Sequence, residues 1–374
     1  MSDRFDAIVV GVGGMGSAAL HQLARRGLRV LGLDRFAVPN ERGSSHGITR
    51  VIRLAYNEDP AYVPLARRAY EGWRELETEA GEQLLYITGS MDISRPDQMV
   101  VEGSIRSCEE HDLPYEVLDA REVARRFPAY RLDPEMVAVL QPDGGFVRPE
   151  RAIAAQAAGA LAAGAELHAG ERVTGWEPTA EGVRVTTDVD TYEAERLVLT
   201  AGAWMRELAG LPVVAERQVL AWLQPERPEL FTPDRFPVFV MQTADDERYY
   251  GLPQFAVPGF KLGLYHHFEE RGPADQLDRT PRPDDEQMLR NYAQRYFPAG
   301  AGPAVRMTGC LFENTPDEHF VIGNLPGLPQ VIVGGGGSGH GFKFCPVIGE
   351  ILADLATDGQ TSQDIGLFSV DRFQ

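Results

Sequence analysis

Residues 6–34, DAIVVGVGGMGSAALHQLARRGLRVLGLD, decide the fold. The apolar run 6–10 reads as a buried strand and the stretch 14–27 as a helix. LRVLGLD at 28–34 reads as a second strand that ends on an acid. Between the first strand and the helix, GVGGMG places Gly11, Gly13 and Gly16 in the G-x-G-x-x-G spacing. The first glycine permits a tight turn, the second lets a diphosphate approach the backbone, and the third lets helix and strand pack closely. The helix N-terminus adds oriented N–H groups that favour an anion. Asp34 stands eighteen residues beyond Gly16 at a strand end, where units of this kind bind a ribose hydroxyl. The whole predicts a Rossmann-like α/β domain that binds a dinucleotide. The fingerprint alone leaves nicotinamide and flavin dinucleotides both open.

Working outward, the stretch from Pro60 to about Glu79 has helical spacing, with Tyr62, Leu65, Ala66, Ala69, Tyr70, Trp73 and Leu76 on one side. Asp59 and Pro60 supply a cap and a first-turn proline. YITGSMDIS at 86–94 has strand character, and PDGGFVRPER at 142–151 is turn chemistry leading into an alanine-rich helix over 150–164. Short strands follow, the last at 196–200. The region 216–305 carries the strand-like pieces VFVMQ, RYYGLP and KLGLYHHF and then a helix near 284–296. After 306, strand and glycine motifs return, and a helix over 346–357 closes the pattern. These readings predict a Rossmann-like domain assembled from 1–85, 145–215 and 306–374. The pieces 86–144 and 216–305 form an α+β substrate domain on a mainly antiparallel sheet.

Composition narrows the class. At 374 residues the chain exceeds one ordinary core, so two domains are the default. Hydrophobic residues at 43% and charged residues at 24% describe a soluble globular protein. No run of eighteen apolar residues is present, so no membrane-spanning helix is expected. MSDRFDAIVV lacks the basic and then apolar regions of a signal peptide. Three cysteines (Cys108, Cys310, Cys345) fit a reducing cytoplasm better than a disulfide scaffold. The net charge of −19 argues against nucleic acid and anionic membranes as partners. It also means that an anionic substrate needs a local cationic pocket. No metal site is expected.

Further motifs lie far from the fingerprint: RGSSHGITRVIRLAY at 42–56, TAGAW at 200–204, CLFENTPDEHF at 310–320 and GSGHGFKF at 337–344. Together they resemble the monomeric sarcosine oxidase and N-methyltryptophan oxidase family of D-amino-acid-oxidase-like flavoproteins, over essentially the whole chain. The resemblance implies FAD, joined through its 8α-methyl group to the sulfur of Cys310. Read from its surroundings alone, Cys310 ends a strand (VRMTGC) and begins a polar loop with partial exposure. The cofactor positions implied are Gly11, Gly13, Gly14, Met15, Gly16, Asp34, Arg35, Ser45, His46, Thr49, Arg50, Val173, Ala201, Gly202, Trp204, Cys310, Gly337, Gly339, His340, Gly341 and Lys343.

The resemblance also implies a substrate carboxylate held by Arg53 and Lys343. The physics agrees, since an arginine fork holds a carboxylate bidentately and a charge inside apolar VIRLAY needs a partner. His46 and Arg50 match positions beside the flavin ring, where a cationic environment stabilises its reduced form. Lys261 in GFKLGLYHHF matches a lysine that promotes reaction with O2. Tyr250 in RYYGLP matches a substrate-pocket tyrosine. His266 is taken as the pocket histidine, with His267 as the alternative because the spacing here is one residue longer than in the family. Phe312 stands where sarcosine oxidases carry a tyrosine, which favours a substrate bulkier than sarcosine. The implied activity is oxidation of a secondary amino acid, N-methyl or cyclic, to an imine, with O2 reduced to H2O2 by a monomer. Rival readings are a flavin-dependent dehydrogenase, a primary amino-acid oxidase, a nicotinamide-dependent dehydrogenase and a non-catalytic flavin-binding protein.

Overall fold

The computed structural model describes residues 4–373; residues 1–3, where the first expected domain piece begins, and residue 374 lie outside the described residues. Phe5–Val10 and Val30–Asp34 run parallel, with Ala7 opposite Val30. Thr191–Leu199 flanks the first strand in parallel, Glu166–Ala169 extends the sheet beyond the second, and Leu328–Gly335 adds beside 191–199. Both faces of this sheet are covered, so its central strands are continuous apolar runs. Ala7 and Val9 face a cluster with Leu20, Leu23, Ile348 and Leu352, while Ile8 and Val10 join Val185, Leu199 and Val333 on the other side. The helices Gly14–Arg25 and Cys345–Thr357 cross closely: a Cβ on Gly349 would lie 2.5 Å from that of Ala18. Tyr62–Ala80 and Pro149–Ala162 complete this layer.

The second sheet has nine strands centred on Val214–Leu223, which pairs with Ala304–Asn314, Phe260–Leu264 and Arg271–Gly272. It continues through Arg248–Leu252, Val238–Gln242, Ser90–Ser94, Val137–Gln141 and Glu116–Asp119, and only the pair 90–94 with 238–242 is parallel. Alternation along these strands sorts the residues by face. Phe239, Met241, Phe260 and Leu262 pack with Leu289, Tyr292 and Ala293 of the helix Pro283–Tyr296. On the opposite face, Trp222 stands opposite both Lys261 and Arg306, Gln218 opposite Cys310, and Tyr250 opposite Gly263. Register therefore puts Cys310, Phe312, Lys261 and Tyr250 on one side of one sheet.

Two expectations change here. Residues 304–314 belong to the second sheet, and the Rossmann sheet resumes only at Val321–Leu325. The long strand 214–223 needs a partner along its whole length and finds it there. For the same reason Cys310 lies inside a strand and is 2% exposed, not at the start of a loop. Arg50–Ile52, Leu85–Ile87 and Gly145–Val147 form a small third sheet.

Candidate active site

A cavity of about 580 Å³ opens between the carboxyl ends of the parallel strands and the face of the second sheet that carries Cys310. At its dinucleotide end, Gly11 has φ +89°. A Cβ on Gly16 would lie 1.8 Å from the Gly11 carbonyl oxygen, so the turn closes on the helix only without a side chain. A Cβ on Gly13 would meet nothing nearer than Ser45 Oγ at 4.0 Å, which leaves this backbone open to the cavity. Asp34 accepts the Val12 and Phe36 N–H groups, both at 2.8 Å, one on each carboxylate oxygen. Each oxygen keeps a further lone pair for a hydroxyl donor. Gly14, Met15, Arg35, Ser45, Val173, Ala201, Gly202 and Trp204 line the same end, and Gly337, Gly339, His340 and Gly341 line the cavity from the C-terminal turn.

At the other end, Arg53 is 1% exposed and anchored on three sides. Its Nε donates to the Ala55 carbonyl at 2.9 Å, and Nη2 donates to Asn57 and, at 3.0 Å, to Glu58. Asp92 lies 3.4 Å from Nε. Two acids thus neutralise one guanidinium, which the apolar setting demands. Burial pushes the Glu58 carboxyl up, but Arg53 and then His340 and Lys343 outweigh it and bring it to about 2. Asp92, deeper, is pushed up by burial to about 6 despite Arg53. Lys343 Nζ donates to the His340 carbonyl at 2.7 Å and to Tyr56 Oη at 3.4 Å. Burial, and then the charge of Arg53, bring it down to about 7. Arg53 and Lys343 both line the cavity, as do Tyr250, Tyr265 and Phe312. The three aromatic rings form one wall, with Tyr265 edge-on to Tyr250 at 5.2 Å and to Phe312 at 5.6 Å.

Between the two ends lies Cys310. Its Sγ is 3.5 Å from Arg50 Nη2, and burial pushes the thiol up while Arg50 opposes the shift. Lys261, His46 and Thr49 stand one layer behind the lining. Lys261 Nζ donates to the Gly47 carbonyl at 2.9 Å, to Thr49 Oγ1 at 3.0 Å and to the Thr49 carbonyl, and sits 5.6 Å from the Trp222 ring. Three oxygen acceptors match the three N–H groups of an ammonium, although burial and then Arg50 pull this lysine well below its ordinary pKa. The turn 47–50 is held by Glu150, which accepts the Gly47 and Ile48 N–H groups at 2.6 and 3.0 Å.

Three expectations are corrected. Burial, then Arg50 and Lys261, bring His46 down to about 3, so it is neutral and the cationic environment comes from Arg50. His266 does not reach the cavity: its Nδ1 meets Glu216 at 3.0 Å and its Nε2 meets Glu318 at 3.0 Å. These two acids raise it to about 9. His267 is buried against Asp285 at 2.7 Å. Tyr265 lines the cavity instead, and the chain then reverses through positive φ at His266 (56°), Phe268 (55°) and Glu269 (51°). Sequence reasoning missed Tyr265, Glu58, Asp92 and Glu150. The need of a buried Arg53 for an acid was legible, but not which acid answered it.

Comparison with known proteins bears on this geometry. The family model described as FAD dependent oxidoreductase matches residues 6–355. The chain belongs to this family. It is 44% identical to a monomeric sarcosine oxidase of Streptomyces avermitilis, over 100% of this chain and 98% of the relative. It is 34% identical to an N-methyl-L-tryptophan oxidase of Yersinia pestis, over 99% of this chain and 100% of the relative. Among solved structures, NikD, described as an unusual amino acid oxidase essential for nikkomycin biosynthesis, aligns with TM-score 0.85 and 28% identity over 98% of both chains. The cavity fits FAD on its own evidence. Gly13 leaves a backbone approach open, and Asp34 retains acceptor capacity on both carboxylate oxygens. No helix among the described residues is long and apolar enough to cross a membrane.

Proposed function

We propose that this flavoprotein oxidises a secondary amino acid, N-methyl or cyclic, with O2 as acceptor, and that its FAD is bound covalently through Cys310. The observation that carries the reading is the pairing of Arg53 and Lys343, two buried cations lining one cavity beside an aromatic wall. When bound, FAD would supply the redox chemistry, two-electron oxidation of the substrate C–N bond with O2 as the final acceptor of two electrons and two protons. The protein does the rest. Arg53 and Lys343 fix the carboxylate, and each charge-assisted bond contributes about 1.5–3 kcal/mol. Tyr250, Tyr265 and Phe312 exclude water around the carbon that reacts. Glu58 and Asp92 are committed to Arg53, so neither serves as a base, and the amine loses its proton on or before binding. Arg50 places positive charge near the ring end of the cavity, and Lys261, when protonated, adds to it from one layer behind, which favours electron transfer to O2. The supply of both cations by one chain fits a monomer. A peroxide-coupled screen of N-methyl and cyclic amino acids tests the reading; absence of peroxide with every one of them would sink it.

The clamp has a pH signature. In the free enzyme Lys343 gives up its proton near pH 7, so it attracts carboxylates fully below that pH and progressively less above it. Competitive inhibition by propionate, which stays ionised throughout, should therefore weaken about tenfold per pH unit above neutrality until the bound-state pKa is reached. Lys343→Met should flatten this dependence. A steep profile retained in that variant would assign the proton elsewhere.

Phe312 directs preference. Its ring packs where a Cβ on Gly339 would lie 2.4 Å away, and it presents no polar atom to the substrate. Phe312→Tyr adds a hydroxyl and should shift the kcat/KM ratio toward sarcosine over cyclic substrates by about 2- to 10-fold, the effect of one net hydrogen bond. A ratio unchanged by the substitution would remove Phe312 from the determinants of specificity.

A further inference from the structure

Glu313 lines the cavity and has no part in the clamp or in the oxygen site. Ser44 Oγ donates to its Oε2, and the Gly337 N–H donates to the same carboxyl. A Cβ on Gly202 would lie 3.7 Å from Oε2. Three turns distant in sequence thus converge on one carboxyl. No cation pairs with it among the described residues: Arg50, the nearest charge acting on it, donates to the Thr49 and Ser44 carbonyls.

Its place between the two ends of the site gives it a partner. On one side, the neighbour of Ser44, Ser45, accepts the Gly14 N–H at 3.3 Å in the turn that receives the diphosphate. On the other, Cys310 precedes Glu313 by three residues on the same strand and marks the ring end. The chain joining diphosphate to ring in FAD is a ribityl group, a run of hydroxyls. We propose that the Glu313 carboxyl hydrogen-bonds these ribityl hydroxyls and so selects the flavin half of the dinucleotide. The proposal rests on the reading of Cys310 as the ring end. Burial pushes the carboxyl up to about 7, against the Ser44 and Gly337 donors and Arg50, and the other titratable neighbours are the buried thiols of Cys310 and Cys345. An adjacent diphosphate acts in the same direction as burial. The group is therefore neutral in the loaded protein, able to donate and to accept.

The test uses a Cys310→Ser protein, in which binding is reversible, and reads fluorescence titration with FAD against competition by ADP, which lacks the ribityl chain. Adding Glu313→Leu should weaken FAD by roughly 10- to 100-fold and leave ADP unchanged. Glu313→Gln keeps a donor and an acceptor; it should match the parent near pH 6 and lose the parent's decline of about tenfold per pH unit above pH 7. Should Glu313→Leu fail to fold, the glutamine variant decides alone. Unchanged FAD affinity in the leucine variant, equal losses for FAD and ADP, or a glutamine variant that declines as steeply as the parent would each overturn the proposal. A Cys310→Ser protein that takes up no FAD overturns the flavin reading itself, and the proposal with it.

Discussion

Arg53→Leu lowers kcat/KM for every carboxylate-bearing substrate by about 10²- to 10⁴-fold, because two charge-assisted bonds of roughly 1.5–3 kcal/mol each disappear. The loss falls mainly on KM if the clamp binds ground and transition states equally, and on kcat if it holds the reacting carbon in line. The substitution also acts on stability. Asp92 is 1% exposed and Glu58 partly buried, and both lose their counter-charge. Removing one partner of a buried pair costs about 3–5 kcal/mol. The sign of its pH dependence follows from Asp92, whose folded pKa of about 6 already lies above its ordinary value and rises further without Arg53. A raised carboxyl contributes stability that is present at low pH and lost as pH climbs past the folded pKa. The Tm deficit of the variant should therefore be smaller near pH 5 than near pH 7.5, by about 1.4 kcal/mol for each unit of additional shift. Thermal melts of variant and parent at the two pH values check this. An equal deficit at both would mean that Asp92 does not depend on Arg53 for its charge.

Cys310→Ala abolishes the retention of flavin after acid precipitation. The parent should give a yellow pellet and a colourless supernatant, and the variant the reverse. The thiol is buried, faces the cavity and has the Arg50 guanidinium 3.5 Å from its sulfur, which favours the thiolate that the proposed bond needs. Cys345 also lines the cavity, but its Sγ lies 2.7 Å from where a Cβ on Gly14 would stand, packed beneath the glycine turn. Flavin retained by the alanine variant would move the attachment to Cys345 or to another side chain.

Local chemistry was legible in this sequence and non-local pairing was not. The unit 6–34 could be read outright because strand, glycine turn, helix and acid lie within one continuous stretch. The helices at 62–80, 149–162, 283–296 and 345–357 announced themselves by apolar spacing or by proline and alanine content. The helices at 99–110 and 120–126 were not anticipated. Cys310 was placed at the start of a loop because nothing local in CLFENTP shows that 214–223 runs alongside it for its full length. Lys261 and Arg53 stood out in the sequence as candidate site residues, but part of what holds each lies elsewhere in the chain. Thr49 and Gly47 hold Lys261, and Asp92 reaches Arg53 from another strand. His266 was the attractive residue in LYHHF by chemistry, yet Tyr265 faces inward and His266 pairs with Glu216 and Glu318, two acids distant in sequence. Glu313, a polar residue in a motif already read for its cysteine, drew no attention.

The cavity is proposed to oxidise secondary amino acids through a bound flavin. Anaerobic mixing of the purified protein with N-methyl and cyclic amino acids, followed by visible absorption, tests it most directly. The account predicts that the flavin band bleaches with a secondary amino acid and returns on admission of air, with peroxide released. A band that persists with every secondary amino acid, or that bleaches only with primary ones, would contradict it.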